Sequence, residues 1–237
     1  MRSADPAGAP VALISGANRG TGLAIAQELH HRGYRVAGLN RTLIGEDWMY
    51  EVPCDLGEAA TVDTAVSQVL AHFGRLDVCV TNAVDRTFAS IAEMDPADWD
   101  RAVAVNLTSV FRIVRASLPA IRAARGSYVI IGSHAGTRFF EGGASYSATK
   151  GALKALVETL LLEERAHEVR ATLVSPGAIA NEYGDESPYK MATESVARCV
   201  GAIVQDQPSD LVIGDIEIRP ALLQGPGISG IDRLQHV

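Results

Sequence analysis

Short apolar runs alternate along the chain with longer stretches of mixed polarity. The first such run, Val-Ala-Leu-Ile-Ser at residues 11–15, has the length and composition of a strand buried on both faces. Strands are predicted on this basis at residues 11–15, 35–39, 48–56, 77–83, 127–133, 169–176 and 211–218. The stretches between them have helical periodicity, at residues 23–31, 58–73, 96–118, 145–166 and 193–206.

This alternation of strands and helices predicts an α/β fold, a doubly wound parallel sheet with helices on both faces. Residues 41–47 are too short for a crossover helix between the second and third strands, so we expect a loop there. No repeat or change of composition marks a second domain. We therefore expect one domain over residues 1–237, with a loose arm at 1–9 and a Gly/Pro-rich tail at 221–237.

Charge and composition exclude several classes of protein. Hydrophobic residues make up 47% of the chain and charged residues 21%, which excludes a disordered chain. With 21 Lys and Arg against 28 Asp and Glu, the net charge of −7 argues against nucleic acid as a partner. The three cysteines, Cys54, Cys79 and Cys199, are too far apart for a metal cluster and odd in number for a disulfide framework. The first ten residues lack the apolar core of a signal peptide, and no run approaches the roughly 20 apolar residues of a membrane span. We expect a soluble, cytoplasmic protein with no membrane partner.

A glycine-rich turn joins the first strand to the first helix. Its spacing is Gly-x-x-x-Gly-x-Gly, which differs from the Gly-x-Gly-x-x-Gly dinucleotide fingerprint. Glycines allow the backbone to approach a phosphate, and a helix start offers free N–H groups to an anion. An ordinary tight turn is the alternative, but a turn after the first strand of a doubly wound fold is where nucleotides bind. The candidate residues here are Ser15, Gly16, Asn18, Arg19, Gly20, Thr21 and Gly22.

The end of the second strand bears on the choice between two dinucleotides. A carboxylate at this point would accept hydrogen bonds from the ribose hydroxyls of NAD and repel the 2′-phosphate of NADP. The chain has Asn40 and Arg41 there instead. Together with Arg19, Arg41 offers two guanidiniums to a phosphate, which favours NADP(H) over NAD(H). The alternative is that both arginines are solvated surface residues.

Four polar residues are candidates for catalysis. Tyr146 and Lys150 are four apart and share one helix face. A nearby ammonium would lower the phenol pKa from ~10 toward the range of a general base, although surface helices often carry such a pair. Ser133 ends the fifth strand and Asn106 lies within a helix. Each of these two has a structural alternative, as a turn cap and as a tolerated interior residue respectively.

Taken in order, these motifs resemble the short-chain dehydrogenase/reductase family over roughly residues 9–220. The resemblance rests on the glycine-rich turn, Asp55-Leu56, Asn82-Ala83, Asn106, Ser133, Tyr146-x-x-x-Lys150 and Pro176-Gly177. It implies a Rossmann fold with a seven-stranded parallel sheet in the order 3-2-1-4-5-6-7. It also implies a catalytic tetrad of Asn106, Ser133, Tyr146 and Lys150.

The resemblance further implies the role of each residue. Tyr146 would be the general acid and base, Ser133 would orient the substrate carbonyl, and Asn106 would hold a relay water. Lys150 would bind the nicotinamide ribose and lower the Tyr146 pKa. Asp55 is expected to bond the adenine, and Asn82 to support the sheet and cofactor. Further cofactor contacts are expected at Leu56, Ala83, Val84, Pro176, Gly177 and Ile179.

Three positions depart from the family pattern. Val84 replaces a glycine beside the nicotinamide ribose, which would narrow the cofactor channel or shift its loop. Thr21 replaces a usual Ile. Asn181 stands where a Thr often contacts the nicotinamide carboxamide.

The substrate pocket is expected to include His134, Arg138 and Tyr183, with Arg86 and Phe139 as further candidates. For His134 and Arg138 the alternatives are a spectator and a surface role. The predicted function is an NADP(H)-dependent oxidoreductase acting on a small-molecule carbonyl or secondary alcohol. The alternatives are an NAD-dependent alcohol or diol dehydrogenase and a non-catalytic NADP-sensing regulator. The resemblance also suggests a homotetramer or homodimer formed through helices 96–118 and 145–166.

Overall fold

A computed structural model describes residues 8–181 and 187–222. The predicted arm before residue 8, the predicted tail after residue 222 and Tyr183 lie outside these residues. The strands are β1 (Val11–Ser15), β2 (Arg35–Asn40), β3 (Met49–Pro53), β4 (Val78–Thr81), β5 (Ser127–Ile131), β6 (Arg170–Pro176) and β7 (Asp215–Ile218). The helices are α1 (Gly20–His31), α2 (Ala59–Phe73), α3 (Pro96–Val103), α4 (Ser109–Ala124), α5 (Ala144–Glu164) and α6 (Thr193–Gln205).

The seven strands form one parallel sheet in the order β3-β2-β1-β4-β5-β6-β7, which confirms the predicted fold class. Strand β1 lies between β2 and β4, so the connections leave it in opposite directions. A crevice forms at such a switch point, outside the carboxyl ends of the strands. The parallel register sets Ser15 beside Thr81, so the segments after β1 and β4 leave the sheet side by side.

The alternation of side chains along each strand builds two cores. In β1, Val11 and Leu13 pack into the larger core with α2, α4 and α5. Ala12 and Ile14 point to the opposite face and pack against α1 and α6. Since both faces of the sheet are covered, its central strands β1, β4 and β5 are largely apolar rather than alternating, which is why short apolar runs predicted them.

The structure divides one predicted helix into two and extends it. The helix predicted at residues 96–118 continues to Ala124, with Pro119 inside α4. Between α3 and α4 the chain widens into a π-helical turn at Ala104–Thr108, which contains Asn106. Such turns are frequent at functional sites. Residues 41–47 form no helix, as predicted, and the last strand starts at Asp215 rather than at 211.

Candidate active site

A cleft of about 580 Å³ lies at the carboxyl ends of β1 to β4. It is walled by the segments that follow these strands and by the start of α1. Eleven of the residues proposed from the sequence line it: Gly16, Asn18, Arg19, Gly20, Thr21, Arg41, Asp55, Leu56, Asn82, Ala83 and Val84. Asn181, which stands where the family often contacts the nicotinamide carboxamide, also lines the cleft. The remaining lining residues were not assigned to the cofactor site from the sequence: Leu39, Thr42, Cys54, Asp85, Arg86, Arg101 and Val105.

The glycine-rich turn is packed too closely to admit side chains. Gly16 has φ +69°, and a Cβ there would lie 2.9 Å from Ala83 Cβ. A Cβ on Gly22 would lie 1.9 Å from the Gly16 carbonyl oxygen. Ser15 does not line the cleft; its Oγ accepts hydrogen bonds from the backbone N–H of Asn82 (3.0 Å) and of Ala83 (3.3 Å). The turn is thereby fixed against the end of β4, and its close backbone approach fits a dinucleotide phosphate.

Two of the departures from the family pattern contact each other. Asn181 Oδ1 accepts a hydrogen bond from the backbone N–H of Thr21 (2.9 Å) and another from the Thr21 hydroxyl (2.8 Å). Thr21 is the second residue of α1, so this N–H is one of the free donors of a helix start. The segment after β6 is therefore tied directly to the glycine-rich turn.

Asn40 does not reach the cleft. Its side chain is buried, and its Nδ2 donates to Glu51 Oε1 at 2.6 Å. Asn40 was predicted to contact the cofactor because it ends β2, but its side chain bonds a carboxylate of the neighbouring strand β3 instead. Glu51 was missed because it is 11 residues further along the chain. Arg41 and Arg19 do line the cleft, and within residues 8–181 and 187–222 neither forms an ion pair.

Arg101 bridges two carboxylates on one wall of the cleft. Its guanidinium lies 3.2 Å from Asp85 Oδ2 and 3.9 Å from Asp55 Oδ1. The backbone N–H of Gly57 also donates to Asp55 Oδ1, at 2.9 Å. These contacts orient the Asp55 side chain beside the region assigned to the adenine.

Asn106 holds the loop that follows β4. Its Oδ1 accepts from the backbone N–H of Asp85 at 2.7 Å, and its Nδ2 donates to the Asp85 carbonyl at 3.0 Å. The same Nδ2 donates to Thr149 Oγ1 at 3.2 Å, which links the loop to α5. The buried Asn106 side chain therefore hydrogen-bonds protein groups, and these bonds connect the loop after β4 to α5.

Ser133, Tyr146 and Lys150 come together where β5 ends and α5 begins. Ser133 Oγ accepts from the backbone N–H of Ala135 (3.1 Å), as the cap alternative predicted, and its hydroxyl lies near enough to Tyr146 to lower that residue's pKa. Lys150 Nζ donates to the Ile131 carbonyl at 2.7 Å and lies 5.9 Å from the centre of the Tyr146 ring. Tyr146 and Lys150 are both buried, so the pair is not a solvated surface pair.

Burial governs how this pair titrates. It lowers the pKa of Lys150 to about 7. Burial also raises the pKa of Tyr146, against the lowering effects of the Ser133 hydroxyl and the positive charge of Arg86. The pKa of Tyr146 is raised, whereas the resemblance implied that it would be lowered. Desolvation of the phenolate outweighs the effect of the Arg86 charge. The neutral phenol is therefore the stable form of this side chain at neutral pH.

Aromatic side chains surround the Tyr146 ring. Phe88 packs edge-on against Tyr146 (ring centres 5.6 Å apart) and against Phe140 (5.5 Å). Val84 lies partly buried against the same group. Arg86 lies over the Phe88 ring, 5.7 Å from its centre. The Tyr146 ring is thus flanked by the apolar side chains of Phe88, Phe140 and Val84, with the Arg86 guanidinium beside Phe88.

Two residues proposed for the substrate have a protein partner instead. His134 Nε2 lies 3.2 Å from Glu217 Oε1, and Arg138 lies 3.7 Å from Glu217 Oε2. Neither lines the cleft, so their contact with substrate stays a prediction. Pro176, Gly177 and Ile179 also lie off the cleft: β6 ends at Pro176, Gly177 N–H donates to the Ile218 carbonyl (2.8 Å), and Ile179 pairs with Met191.

Among residues 8–181 and 187–222, no group of three or more His, Cys, Asp or Glu side chains is arranged to hold a metal ion. Across the same residues, none of the helices has the length and apolar character needed to span a membrane.

Comparison with known proteins assigns the fold and the cleft to one family. The family model described as short chain dehydrogenase matches residues 10–191. The chain is 32% identical over 195 residues to trans-4-hydroxycyclohexanecarboxylate dehydrogenase of Sinomonas cyclohexanicum, covering 75% of each chain. An alcohol dehydrogenase from Thermococcus sibiricus, solved with 5-hydroxy-NADP, superposes with a TM-score of 0.83 at 26% identity, over 90% of this chain and 97% of that one. A metagenomic short-chain oxidoreductase in complex with NADP superposes with a TM-score of 0.78 at 33% identity, again over 90% and 97%.

The protein therefore belongs to the short-chain dehydrogenase/reductase family, and it is an oxidoreductase with the Rossmann-type sheet of that family. Two of the similar structures were solved with NADP or a derivative of it.

Proposed function

We propose that the protein transfers a hydride between NADP(H) and a small carbonyl or secondary alcohol, with Tyr146 as the general acid and base. The observation that carries this proposal is the buried pair Tyr146 and Lys150, with the partly buried Ser133, beside a cleft lined by a glycine-rich turn. When bound, a nicotinamide cofactor supplies or accepts the hydride. The Sinomonas relative is named for a ring-borne secondary alcohol, which supports a substrate of that class.

Side chains of the protein are proposed to move the proton and position the substrate. Because burial keeps the Tyr146 phenol neutral, its O–H is ready to donate a proton to a substrate oxygen during reduction. Ser133, which lies near Tyr146, holds that oxygen in place. Lys150 titrates near neutral pH, and its charged form favours the Tyr146 phenolate that alcohol oxidation requires. The rings of Phe88 and Phe140 present an apolar wall to the carbon skeleton of the substrate.

The preference for NADP(H) is proposed from Arg19 and Arg41. Both line the cleft, and no carboxylate of the described residues neutralises either. A guanidinium without an ion partner binds a phosphate by charge and by paired N–H donors. Calorimetric titration with NADPH and with NADH tests the preference, which we expect to be tenfold or more, ~1.4 kcal/mol. Equal affinities would remove the 2′-phosphate argument and favour the NAD-dependent alternative.

Substitution of Tyr146 tests the chemistry. Tyr146→Phe is expected to abolish turnover of carbonyl substrates while NADPH binding, measured by calorimetry, stays close to that of the wild type. Tyr50→Phe is the matched control, because Tyr50 stacks on His72 at the far edge of the sheet and should leave turnover unchanged. Retained activity in Tyr146→Phe would overturn the acid–base role. Absence of turnover in the wild type, with NADPH bound, would favour the regulator.

We also propose association into a homodimer or homotetramer through the long helices. Phe111 on α4 is 50% exposed and Leu162 on α5 is 60% exposed, so both helices present large apolar side chains at the surface. Sedimentation equilibrium would measure the mass, and a monomer at micromolar concentration would contradict this proposal.

A further inference from the structure

The carboxylate of Glu51 on the edge strand β3 holds the loop between β2 and β3. Glu51 lies on β3 opposite Gly38 of β2. Its Oε1 accepts from Asn40 Nδ2 at 2.6 Å, its Oε2 accepts from the backbone N–H of Gly45 at 2.6 Å, and both oxygens accept from the N–H of Ile44, at 3.1 and 3.0 Å. Three donors from one short loop and the strand before it therefore converge on a single carboxylate.

The residues enclosed by these hydrogen bonds belong to the cleft. Arg41 and Thr42 follow Asn40 directly and both line the cleft, while Ile44 and Gly45 close the loop. The family's crossover helix is absent here, so no helical hydrogen bonds fix the backbone of residues 41–45. The Glu51 carboxylate takes over that task, because it ties down the loop on both sides of Arg41 and Thr42.

A fixed loop lowers the entropy cost of phosphate binding by Arg41. Arg41 is exposed, and within the described chain it has no ion partner. A guanidinium on a mobile loop loses both backbone and side-chain freedom when it binds a phosphate, which weakens binding. With the backbone already held, only the side chain remains to be ordered.

We propose that Glu51 is a positioning residue that sets the preference for the 2′-phosphorylated cofactor by holding Arg41 and Thr42 at the cleft. This inference rests on the proposed use of NADP(H). It predicts that loss of the Glu51 carboxylate weakens NADPH binding, whereas the effect of its charge alone would be to strengthen binding. A carboxylate near a phosphate repels it, so loss of the Glu51 charge alone would tighten NADPH binding. Loss of the loop anchor would weaken it.

Glu51→Gln separates these two effects. The substitution replaces one acceptor oxygen by an NH₂ group, which faces N–H donors and cannot accept from them. We expect the Kd for NADPH to rise roughly fivefold, the scale of one net hydrogen bond, and the Kd for NADH to stay unchanged. Glu46→Gln is the matched control: it removes the same charge five residues away, but the Glu46 carboxylate bonds the Trp48 indole rather than the loop backbone. It should leave the ratio of the two dissociation constants unchanged.

Two further variants complete the test. In an Arg41→Ala background, Glu51→Gln should cause no additional loss of NADPH affinity, since the residue it positions is gone. Asn40→Ala removes one donor and leaves the carboxylate, so it should give a smaller loss in the same direction. This variant serves if Glu51→Gln does not fold, which thermal unfolding would show.

The outcomes distinguish this inference from the proposed function. A wild type that binds NADPH and NADH equally would overturn the cofactor preference and this inference with it. A wild type that prefers NADPH, with the same preference in Glu51→Gln, would overturn only the role of Glu51. Tighter NADPH binding in Glu51→Gln, or an equal loss for both cofactors, would also overturn it.

Discussion

The contact between Thr21 and Asn181 is predicted to compete with cofactor binding and so to weaken it. Thr21 N–H lies in the first turn of α1, where a helix offers donors to an anion such as a pyrophosphate. In the structure, Asn181 Oδ1 accepts from that N–H and from the Thr21 hydroxyl. A pyrophosphate that uses the same N–H has to displace the Asn181 oxygen, so the stability of this contact is subtracted from the binding free energy.

Thr21→Val tests this reasoning with little change of shape. Valine keeps the backbone N–H and removes the hydroxyl, so one of the two hydrogen bonds to Asn181 is lost. A net hydrogen bond contributes about 1 kcal/mol, which corresponds to roughly fivefold in an equilibrium constant. We therefore expect NADPH to bind up to about fivefold more tightly to Thr21→Val. NADH should gain by the same factor, because the two cofactors share the pyrophosphate.

Calorimetric titration of both cofactors is the assay. Thr64→Val is the matched control, because Thr64 is exposed on α2 and its hydroxyl bonds only the carbonyl of Ala60 among the described residues. It should bind both cofactors like the wild type. Unchanged or weaker binding in Thr21→Val would refute the competition, and weaker binding would indicate that the hydroxyl itself bonds the cofactor. A gain in affinity for NADPH alone would mean that the substitution does not act through the pyrophosphate.

Two further predictions concern Lys150 and Gly22. Burial lowers the Lys150 pKa from 10.5 to about 7, so between these values the unfolded chain binds the proton more readily and the free energy of unfolding should rise with pH. Lys150→Met should remove this rise in urea denaturation at pH 7 and pH 10; an unchanged slope would assign it to other groups. A Cβ on Gly22 would meet Gly16 O at 1.9 Å and Asn82 Nδ2 at 2.5 Å, so Gly22→Ala should lose binding of both cofactors by calorimetry. A Cβ on Gly214 would lie 3.5 Å from its nearest neighbour, so Gly214→Ala should keep cofactor binding. Normal binding in Gly22→Ala would contradict the role of the glycine-rich turn in holding the cofactor.

The sheet was predictable because its strands are buried on both faces. A run such as Val-Ala-Leu-Ile at residues 11–14 sends alternate side chains into two different cores, so every position must be apolar. The order of the strands came from the family resemblance, and the sheet confirms it. The π-helical turn at Ala104–Thr108 and the continuation of α4 past Pro119 were not predicted, since both depend on packing rather than on local propensity.

The cleft was predictable where its residues follow a strand directly and not where they meet through the fold. Gly16 and Arg41 were proposed because each stands just past a strand, and Asp55 and Asn82 because the family resemblance implied them; all four line the cleft. Asn40 satisfies the same rule and still points away, because the register of β2 against β3 brings Glu51 within hydrogen-bonding distance. The Thr21–Asn181 contact joins residues 160 positions apart, and only the closed sheet brings them together.

The two ends of the site are electrostatically different, and the spacing of residues alone does not show it. At the outer end, Arg19 and Arg41 line the cleft in positions exposed to solvent, where guanidiniums keep their charge and attract a phosphate. At the inner end, the same positive charge is suppressed: burial brings the Lys150 pKa to about 7 and raises that of Tyr146. A lysine four residues after a tyrosine lowers the tyrosine pKa only while the lysine is charged, and desolvation works against that charge. A negative or polar group that enters beside Lys150 would restore its charge, and the resulting ammonium would then favour the Tyr146 phenolate. The protonation state of Lys150 therefore depends on what binds next to it, and in the proposed function this would place control of the acid–base step with the ligand rather than with the helix spacing.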